Sequence, residues 1–320
     1  MNILLCSDNT YAPHLAATIS SVVSNNSNVN FYVLTLDFSE YNKKLIERFV
    51  IENGSSIFFI YINDSLISGF PMSTEASNHI SIETYLRLFA EQALPATIDK
   101  LIYLDSDIIV RHSLVELWNQ DVSDFALGAV YQYNEWSYNN DTFSRLKYNK
   151  YFGYFNAGVL LINLVYWREN NVTKRLIEFI NTNHNSIISH DQDTLNAVLY
   201  KETLPLECKW NVLPFFLGEE LKEYTFPKFI EYFKEVEMVK ANPSVVHFVS
   251  KPKPWEYGCN NVWKSEYFKY LDLTPWSGQR PKFKFALFVK FFCYPFFLKT
   301  IKKISVKIGL KRNVSSQKDI

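Results

Sequence analysis

Glycine is scarce, with nine in 320 residues. Neither the Gly-x-Gly-x-x-Gly fingerprint of dinucleotide-binding folds nor a phosphate loop ending in Gly-Lys-Ser/Thr occurs. Both of those ways of cradling phosphate on backbone amides are therefore excluded, and a metal ion becomes the obvious substitute. Cysteine is equally thin. Cys6, Cys208, Cys259 and Cys293 lie far apart with no Cys-x-x-Cys pair, which excludes a thiolate zinc cluster and a dithiol redox motif and leaves reduced, cytosolic thiols as the expectation. The N-terminal apolar run Ile3-Leu4-Leu5-Cys6 has no basic residues before it and stops at Ser7-Asp8, too short for a secretory signal. Export is not expected. No internal repeat is visible, and the most apolar stretch, Phe283–Leu298, is broken by Lys290 and Pro295 before it could span a bilayer.

Net charge is also absent, since 33 basic residues face 33 acidic ones. The balance conceals an asymmetry: residues 280–320 carry eleven Lys/Arg and one acid, leaving the first 279 residues with ten more acids than bases. An acidic body does not suit nucleic acid, whereas a basic, aromatic tail suits an anionic membrane surface; a disordered tail or an oligomer contact is the plainer alternative. What the chain does have is apolar bulk, 48% hydrophobic and 17% aromatic, which excludes a disordered or collagen-like protein and provides for a large core. The expected organisation is one α/β domain over 1–279 and an appended segment over 280–320.

Along the body, short apolar runs alternate with helical patterns. Strands are expected at 2–7, 29–36, 56–61, 100–104, 157–162 and 244–248, and helices through 16–23, 40–52, near 81–92, near 164–181 and from Asp191 onward. Such alternation implies a parallel sheet covered on both faces, with ligands beyond the carboxyl ends of its strands. The polar stretch 63–80 and the Tyr- and Asn-rich stretch 131–155 have little periodicity and the length of binding loops.

Two constellations carry chemistry. In Leu101-Ile102-Tyr103-Leu104-Asp105-Ser106-Asp107-Ile108-Ile109-Val110, an Asp-x-Asp interrupts an apolar run at a strand end. The i, i+2 spacing can aim both carboxylates to one side of an extended chain, where two hard oxygens suit Mg²⁺ or Mn²⁺ bridging phosphates. Thirteen aspartates give about half of one such triplet by chance, and Asp191-Gln192-Asp193 is a second, so the apolar setting is the informative part. In Val245-Val246-His247-Phe248, a histidine closes a strand and is followed by Lys251, Lys253 and Trp255. Its imidazole can complete a carboxylate site in favour of Mn²⁺, or it is simply a hydrogen-bonded core histidine. Asp8 after the first strand fits a base or ribose contact and equally a helix cap. Arg87 on an apolar helix reads as a buried ion pair or a substrate ligand, and Asp191 as an N-cap or a site residue.

These residues together resemble glycosyltransferase family 8, within it the bacterial lipopolysaccharide and lipooligosaccharide galactosyl- and glucosyltransferases. Four blocks in family order carry the likeness over about residues 2–270: the strand ending at Ser7-Asp8, Leu101–Val110, Phe155-Asn156-Ala157-Gly158-Val159-Leu160-Leu161-Ile162-Asn163, and His247 through Lys253-Pro254-Trp255. The resemblance implies a GT-A type α/β nucleotide-diphosphosugar fold with a mostly parallel central sheet, a UDP-sugar donor, Mn²⁺ with Mg²⁺ as the alternative, and retention of configuration. By block, it implies Asp105, Asp107 and His247 as metal ligands and Asp8 with Cys6, Ser7 and Tyr11 around uridine. Arg87, Asp105, Ser106, Asn156, Ala157, Asp191 and Gln192 would surround the donor sugar, and Lys253 would meet the diphosphate. Ser250 stands where the family usually has glycine, so a backbone contact to phosphate there is altered.

Gln192 is a poor nucleophile, which favours same-face attack, with Asp191 positioning the sugar, over a covalent intermediate. The expected acceptor is a lipid-linked or lipopolysaccharide oligosaccharide at the cytoplasmic face of a bacterial inner membrane. Two rivals stand beside this reading. A sugar nucleotidyltransferase would need a Gly-rich N-terminal loop, which residues 5–14 lack; a non-catalytic nucleotide-sugar-binding module would keep the fold without turnover.

Overall fold

The apolar runs Asn2–Cys6 (β1), Asn30–Thr35 (β2) and Ser56–Tyr61 (β3) form successive parallel strands, with Ile3, Leu4, Leu5, Phe31, Val33 and Leu34 all buried. The computed structural model describes residues 1–72, 82–132, 141–213, 234–249 and 251–282. Helix α1, Ala12–Val23, connects β1 to β2, and α2, Glu40–Glu52, connects β2 to β3. Pro13 starts α1, where its missing N–H costs nothing, and Ser39 caps α2 by accepting from Asn42 N–H at 3.2 Å. Both helices therefore begin where the local sequence directs them to.

The sheet continues through Lys100–Leu104 (β4), Leu127–Tyr131 (β6), Phe155–Asn163 (β7) and Thr203–Pro205 (β8), while the short strand Ile108–Val110 (β5) that follows β4 lies outside it. Among the described residues its order is β3-β2-β1-β4-β7-β6-β8. Pairing is parallel except at β7, which runs antiparallel to both β4 and β6. The sheet is therefore mixed rather than all parallel, a correction to the reading from alternation alone. Every residue of β7 is buried, so its apolar run carries no sign of its direction. The helix expected near 164–181 is two helices, α3 at Leu164–Glu169 and α4 at Val172–Thr182, and α5 follows at His190–Leu199. The helix expected near 81–92 is mostly a 3₁₀ stretch, Ile82–Phe89, that buries Tyr85, Leu86, Arg87, Leu88 and Phe89.

β5 leaves the large sheet and pairs antiparallel with Val245–His247 (β9), placing Ile108 opposite His247. Three-residue strands need outside help to hold their backbone groups. On the other edge of β5, Thr18 Oγ1 donates to Ile108 O at 2.8 Å, Val110 N–H donates to Ser21 Oγ at 2.9 Å and Asn25 Nδ2 donates to Val110 O at 3.1 Å. Two polar residues of α1 and Asn25 just past its end thus fix the strand that follows the Asp-Ser-Asp turn.

Among the described residues, those within 1–249 and 265–279 make one compact unit, and 251–264 with 280–282 belong to a second. Among the described residues no helix is long and apolar enough to cross a membrane. Ser250, the tail from 283 on, and the loop segments 73–81 and 133–140 lie outside the described residues, as do the expectations attached to them.

Candidate active site

Asp105, Ser106 and Asp107 occupy the turn between β4 and β5, not an extended strand, and the turn brings both carboxylates to one imidazole. His247 Nε2 lies 3.5 Å from Asp105 Oδ2 and 3.2 Å from Asp107 Oδ1. Separations of about 3 Å are those of neighbouring ligands on one divalent ion, and one ligand atom from each of the three residues falls within 4.8 Å of the others. Two hard oxygens and an imidazole nitrogen suit a divalent ion, Mn²⁺ better than Mg²⁺ by donor type, so the residues present fit the expected group. Space for them comes from Gly158 on β7, where a Cβ would sit 2.1 Å from His247 Cε1 and 2.9 Å from Asp105 Oδ2.

The turn is tied to its surroundings at each residue. Asp105 N–H donates to Gly158 O at 2.9 Å, Ser106 Oγ donates to Cys6 O at 3.1 Å, and Phe248 N–H donates to Asp107 O at 3.0 Å. Asp105 Oδ1 accepts from Tyr103 Oη at 2.7 Å and Arg87 Nη2 at 2.8 Å, which leaves Oδ2 on the histidine side.

Arg87 is buried and engaged on several sides. Besides Asp105 it donates to Ala157 O at 2.6 Å and to Thr84 O at 3.0 Å, pairs with Asp191 Oδ2 at 3.0 Å, and lies 4.0 Å above the Tyr103 ring. Burial alone would lower its pKa, but the carboxylates of Asp105 and Asp191 outweigh it and hold the guanidinium above its ordinary value. The ion-pair reading of Arg87 holds, and the pair links the two acidic parts of the site. Burial raises the Asp191 carboxyl to about 6, with Arg87 pulling it down and Asp105 pushing it up. Burial likewise raises the Cys6 thiol, which argues against a reactive thiolate.

Asp191 is not the cap of α5, as one reading of the sequence had it. Ser189 holds that position, and the second Asp-x-Asp supplies the capping through Asp193, whose Oδ2 accepts from Ile188 N–H at 2.7 Å and Ser189 N–H at 2.8 Å. Fully buried Asp193 also pairs with Arg145 at 2.6 Å and accepts from Tyr154 Oη at 2.8 Å. His190, stacked on Tyr85, has a φ of +48°, a left-handed backbone that a non-glycine residue holds at a cost of about 1–2 kcal/mol.

Gln192 joins α5 to β7. Its Oε1 accepts from Ala157 N–H at 2.9 Å and Asn156 Nδ2 at 3.1 Å, and its Nε2 donates to Tyr154 Oη at 3.0 Å. Asn156 Oδ1 in turn accepts from Gly158 N–H at 2.9 Å and Asn211 Nδ2 at 2.8 Å, and Asn211 Oδ1 lies 3.0 Å from His247 Nδ1. Asn211, Tyr154, Asp193 and Arg145 were not foreseen as part of this arrangement. Nothing in Trp210-Asn211-Val212 marks a buried polar link, though the repeated Asp-x-Asp was a signal for Asp193.

At the end of β1 the cap reading of Asp8 holds. Its Oδ1 accepts from Tyr11 N–H at 2.9 Å and Thr10 Oγ1 at 2.6 Å. Ser7 N–H donates to Leu34 O at 3.2 Å, and Tyr11 meets His14 edge-on. Lys253 belongs to the second unit, where its backbone N–H donates to Glu256 Oε2 at 2.7 Å.

The model for glycosyl transferase family 8 matches residues 2–259. A putative glycosyltransferase of Haemophilus influenzae is 30% identical over 91% of this chain and 86% of its own length. The lipopolysaccharide 1,2-glucosyltransferase of Escherichia coli is 26% identical over 88% and 80%. Among solved structures, the galactosyltransferase LgtC in complex with donor and acceptor sugar analogues is 28% identical, with a TM-score of 0.77 over 86% of this chain and 96% of that one. The fold is accordingly of the GT-A type, an α/β architecture with a mostly parallel, mixed sheet. With the match spanning all four sequence blocks and the candidate metal-ligand set assembled from two of them, the chain belongs to glycosyltransferase family 8.

Proposed function

We propose that the chain is a retaining hexosyltransferase that moves galactose or glucose from a UDP-sugar to a hydroxyl of a lipopolysaccharide, lipooligosaccharide or related surface glycan. The observation that carries this reading is the convergence of Asp105, Asp107 and His247 on one point, with Arg87 joining Asp105 to Asp191. Asp105, Asp107 and His247 would hold Mn²⁺, or Mg²⁺ in its place. Bound there, a divalent ion supplies Lewis-acid neutralisation of the charge that develops on the leaving UDP.

The chain's own residues do the rest. Asp8, with Cys6, Ser7 and Tyr11, meets the uridine, and one oxygen of Asp8 already organises the turn that presents it. Ser106, Asn156 and Ala157 border the donor, Asp191 receives a sugar hydroxyl, and Arg87 fixes its carboxylate relative to Asp105. Gln192 Oε1 already accepts two hydrogen bonds, one from a backbone amide, so its lone pairs are occupied in a fixed frame. That favours attack by the acceptor hydroxyl on the face the diphosphate leaves over a covalent link through Gln192. Family membership speaks against a sugar nucleotidyltransferase. The basic segment 280–320 is proposed as a peripheral anchor on the anionic cytoplasmic face of the membrane.

The test is UDP release by slow donor hydrolysis across a panel of UDP-sugars, with and without Mn²⁺, using wild-type protein and Asp107→Asn. Mn²⁺-dependent release from one donor, abolished in the folded variant, is the expected result and names the sugar. Release unchanged by Asp107→Asn overturns the metal assignment. UDP binding without release from any donor, even with an acceptor oligosaccharide present, would favour the non-catalytic module.

A further inference from the structure

Every hydrogen bond between Gly158 and His247 has its direction set by a group that can only donate. Gly158 N–H points at one atom of the Asn156 carboxamide from 2.9 Å, so that atom is oxygen. The Asn211 atom 2.8 Å from the same oxygen must therefore be the NH₂ nitrogen. The other Asn211 atom is then oxygen, and it lies 3.0 Å from His247 Nδ1. An acceptor there requires the proton on Nδ1, which leaves a lone pair on Nε2, the atom facing Asp105 and Asp107. Asn211 is fully buried and His247 nearly so, and a reversed orientation would set oxygen against oxygen without water to relieve it.

Ala157 N–H fixes Gln192 Oε1 as the oxygen, so Gln192 Nε2 donates to Tyr154 Oη and the tyrosine proton goes to Asp193. Two consecutive β7 amides thereby determine the hydrogen-bond direction of the α5 glutamine, directly from Ala157, and of the metal-ligand histidine, from Gly158 through Asn156 and Asn211.

We propose that Asn211 is a positioning residue of the metal site: its carbonyl oxygen, oriented from Gly158 through Asn156, holds the His247 proton on Nδ1 so that Nε2 is presented to a divalent cation. The proposal rests on the metal reading above. It adds a residue outside the four sequence blocks and predicts that ion affinity depends on the Asn211 acceptor, not on its bulk.

Mn²⁺ binding is measured directly, by loss of the free-ion electron paramagnetic resonance signal, on full-length wild-type protein, Asn211→Ala and Asn211→Asp. Losing a partner that orients a metal-ligand histidine costs about 10- to 100-fold in affinity, so Asn211→Ala is expected to bind in that weaker range. Asn211→Asp keeps an acceptor for Nδ1–H but must turn a carboxyl proton to Asn156 Oδ1 in place of the lost amide donor, so it is expected to weaken binding less than Asn211→Ala does. Wild-type affinity in Asn211→Ala, or equal weakening in both variants, overturns the proposal. No binding by wild-type protein overturns the metal reading itself. Should the variants not fold, selectively ¹⁵N-histidine-labelled, metal-free wild-type protein at about pH 9, where imidazole is ordinarily neutral, gives an independent answer. A His247 proton on Nδ1 supports the role, and a proton on Nε2 overturns it.

Discussion

His247 occupies the space that a side chain on Gly158 would fill: a Cβ there would lie 2.1 Å from the imidazole Cε1 and 2.5 Å from Nδ1. The glycine is in a strand, and what it contributes is absence of volume, not conformational freedom. Gly158→Ala is therefore expected to displace His247 from Asp105 and Asp107 and to cut Mn²⁺-dependent UDP release by about 100-fold or more, the scale of a reacting geometry moved by an ångström. Direct Mn²⁺ binding should fall with it while far-ultraviolet circular dichroism stays unchanged. Wild-type Mn²⁺ affinity in the variant would mean that the ring and the new methyl group share this space without cost.

The Arg87–Asp191 pair predicts a pH profile. Asp191 titrates near 6 in the folded chain against an ordinary 3.8, because burial raises it. Donor hydrolysis should fall as pH drops through about 6 and the carboxylate proposed to receive a sugar hydroxyl becomes protonated. Folding stability moves the other way for this group: a raised acid pKa means that the folded state binds the proton more readily. Its contribution is greatest below 3.8 and is lost as pH rises from 3.8 to about 6. The acid limb of activity is therefore not unfolding caused by Asp191. Asp191→Asn should remove the limb and leave a rate lower by about 100-fold or more. A limb that survives in that variant belongs to another group.

Much of this arrangement could be read from the chain because its signals are local. β1 to β4 are apolar runs bounded by polar turns, and Asp105, Asp107 and His247 stand out as polar residues closing such runs. The direction of β7 was not legible, since a fully buried strand has the same pattern whichever way it runs. β5 and β8 have three residues each, too few for a period to register. Asn211 and Asp193 illustrate a deeper limit. A buried asparagine or aspartate is tolerable only through partners brought from elsewhere, and those partners, Asn156 and His247 for one, Arg145 and Tyr154 for the other, lie 36 to 55 residues away.

Asp193 itself is the next test. It is fully buried, pairs with a mostly buried Arg145, and holds two backbone amides at the start of α5 together with Tyr154 Oη. Removing one partner of such a pair leaves an uncompensated buried charge, so Asp193→Ala is expected to lower the unfolding free energy by about 3–5 kcal/mol. Urea denaturation followed by tryptophan fluorescence checks it. Tyr154→Phe, which keeps the ring and removes the hydroxyl, should cost less stability, about 1–3 kcal/mol, and should lower kcat more than it changes KM because Gln192 Nε2 loses its acceptor. Equal effects of Tyr154→Phe on stability and none on kcat would reduce the tyrosine to a packing role.

The basic segment yields a prediction from charge alone. Residues 280–320 carry eleven Lys/Arg, one acid and eight phenylalanine or tyrosine side chains, against an acidic remainder of the chain. Each Lys or Arg close to an anionic bilayer contributes about 1 kcal/mol, falling off within a Debye length of about 8–10 Å at ordinary salt. Several engaged at once would suffice for stable adsorption, whereas the acidic remainder of the chain contributes no such attraction. Full-length protein should therefore sediment with vesicles containing phosphatidylglycerol and not with purely zwitterionic ones. Truncation after residue 280 should abolish sedimentation without affecting UDP release from a soluble donor. Raising salt to about 1 M shortens the Debye length to about 3 Å, and binding should weaken without vanishing if the aromatics also enter the interface. Sedimentation of the truncated chain equal to that of the full chain would remove the anchor from this segment and return the search to the body.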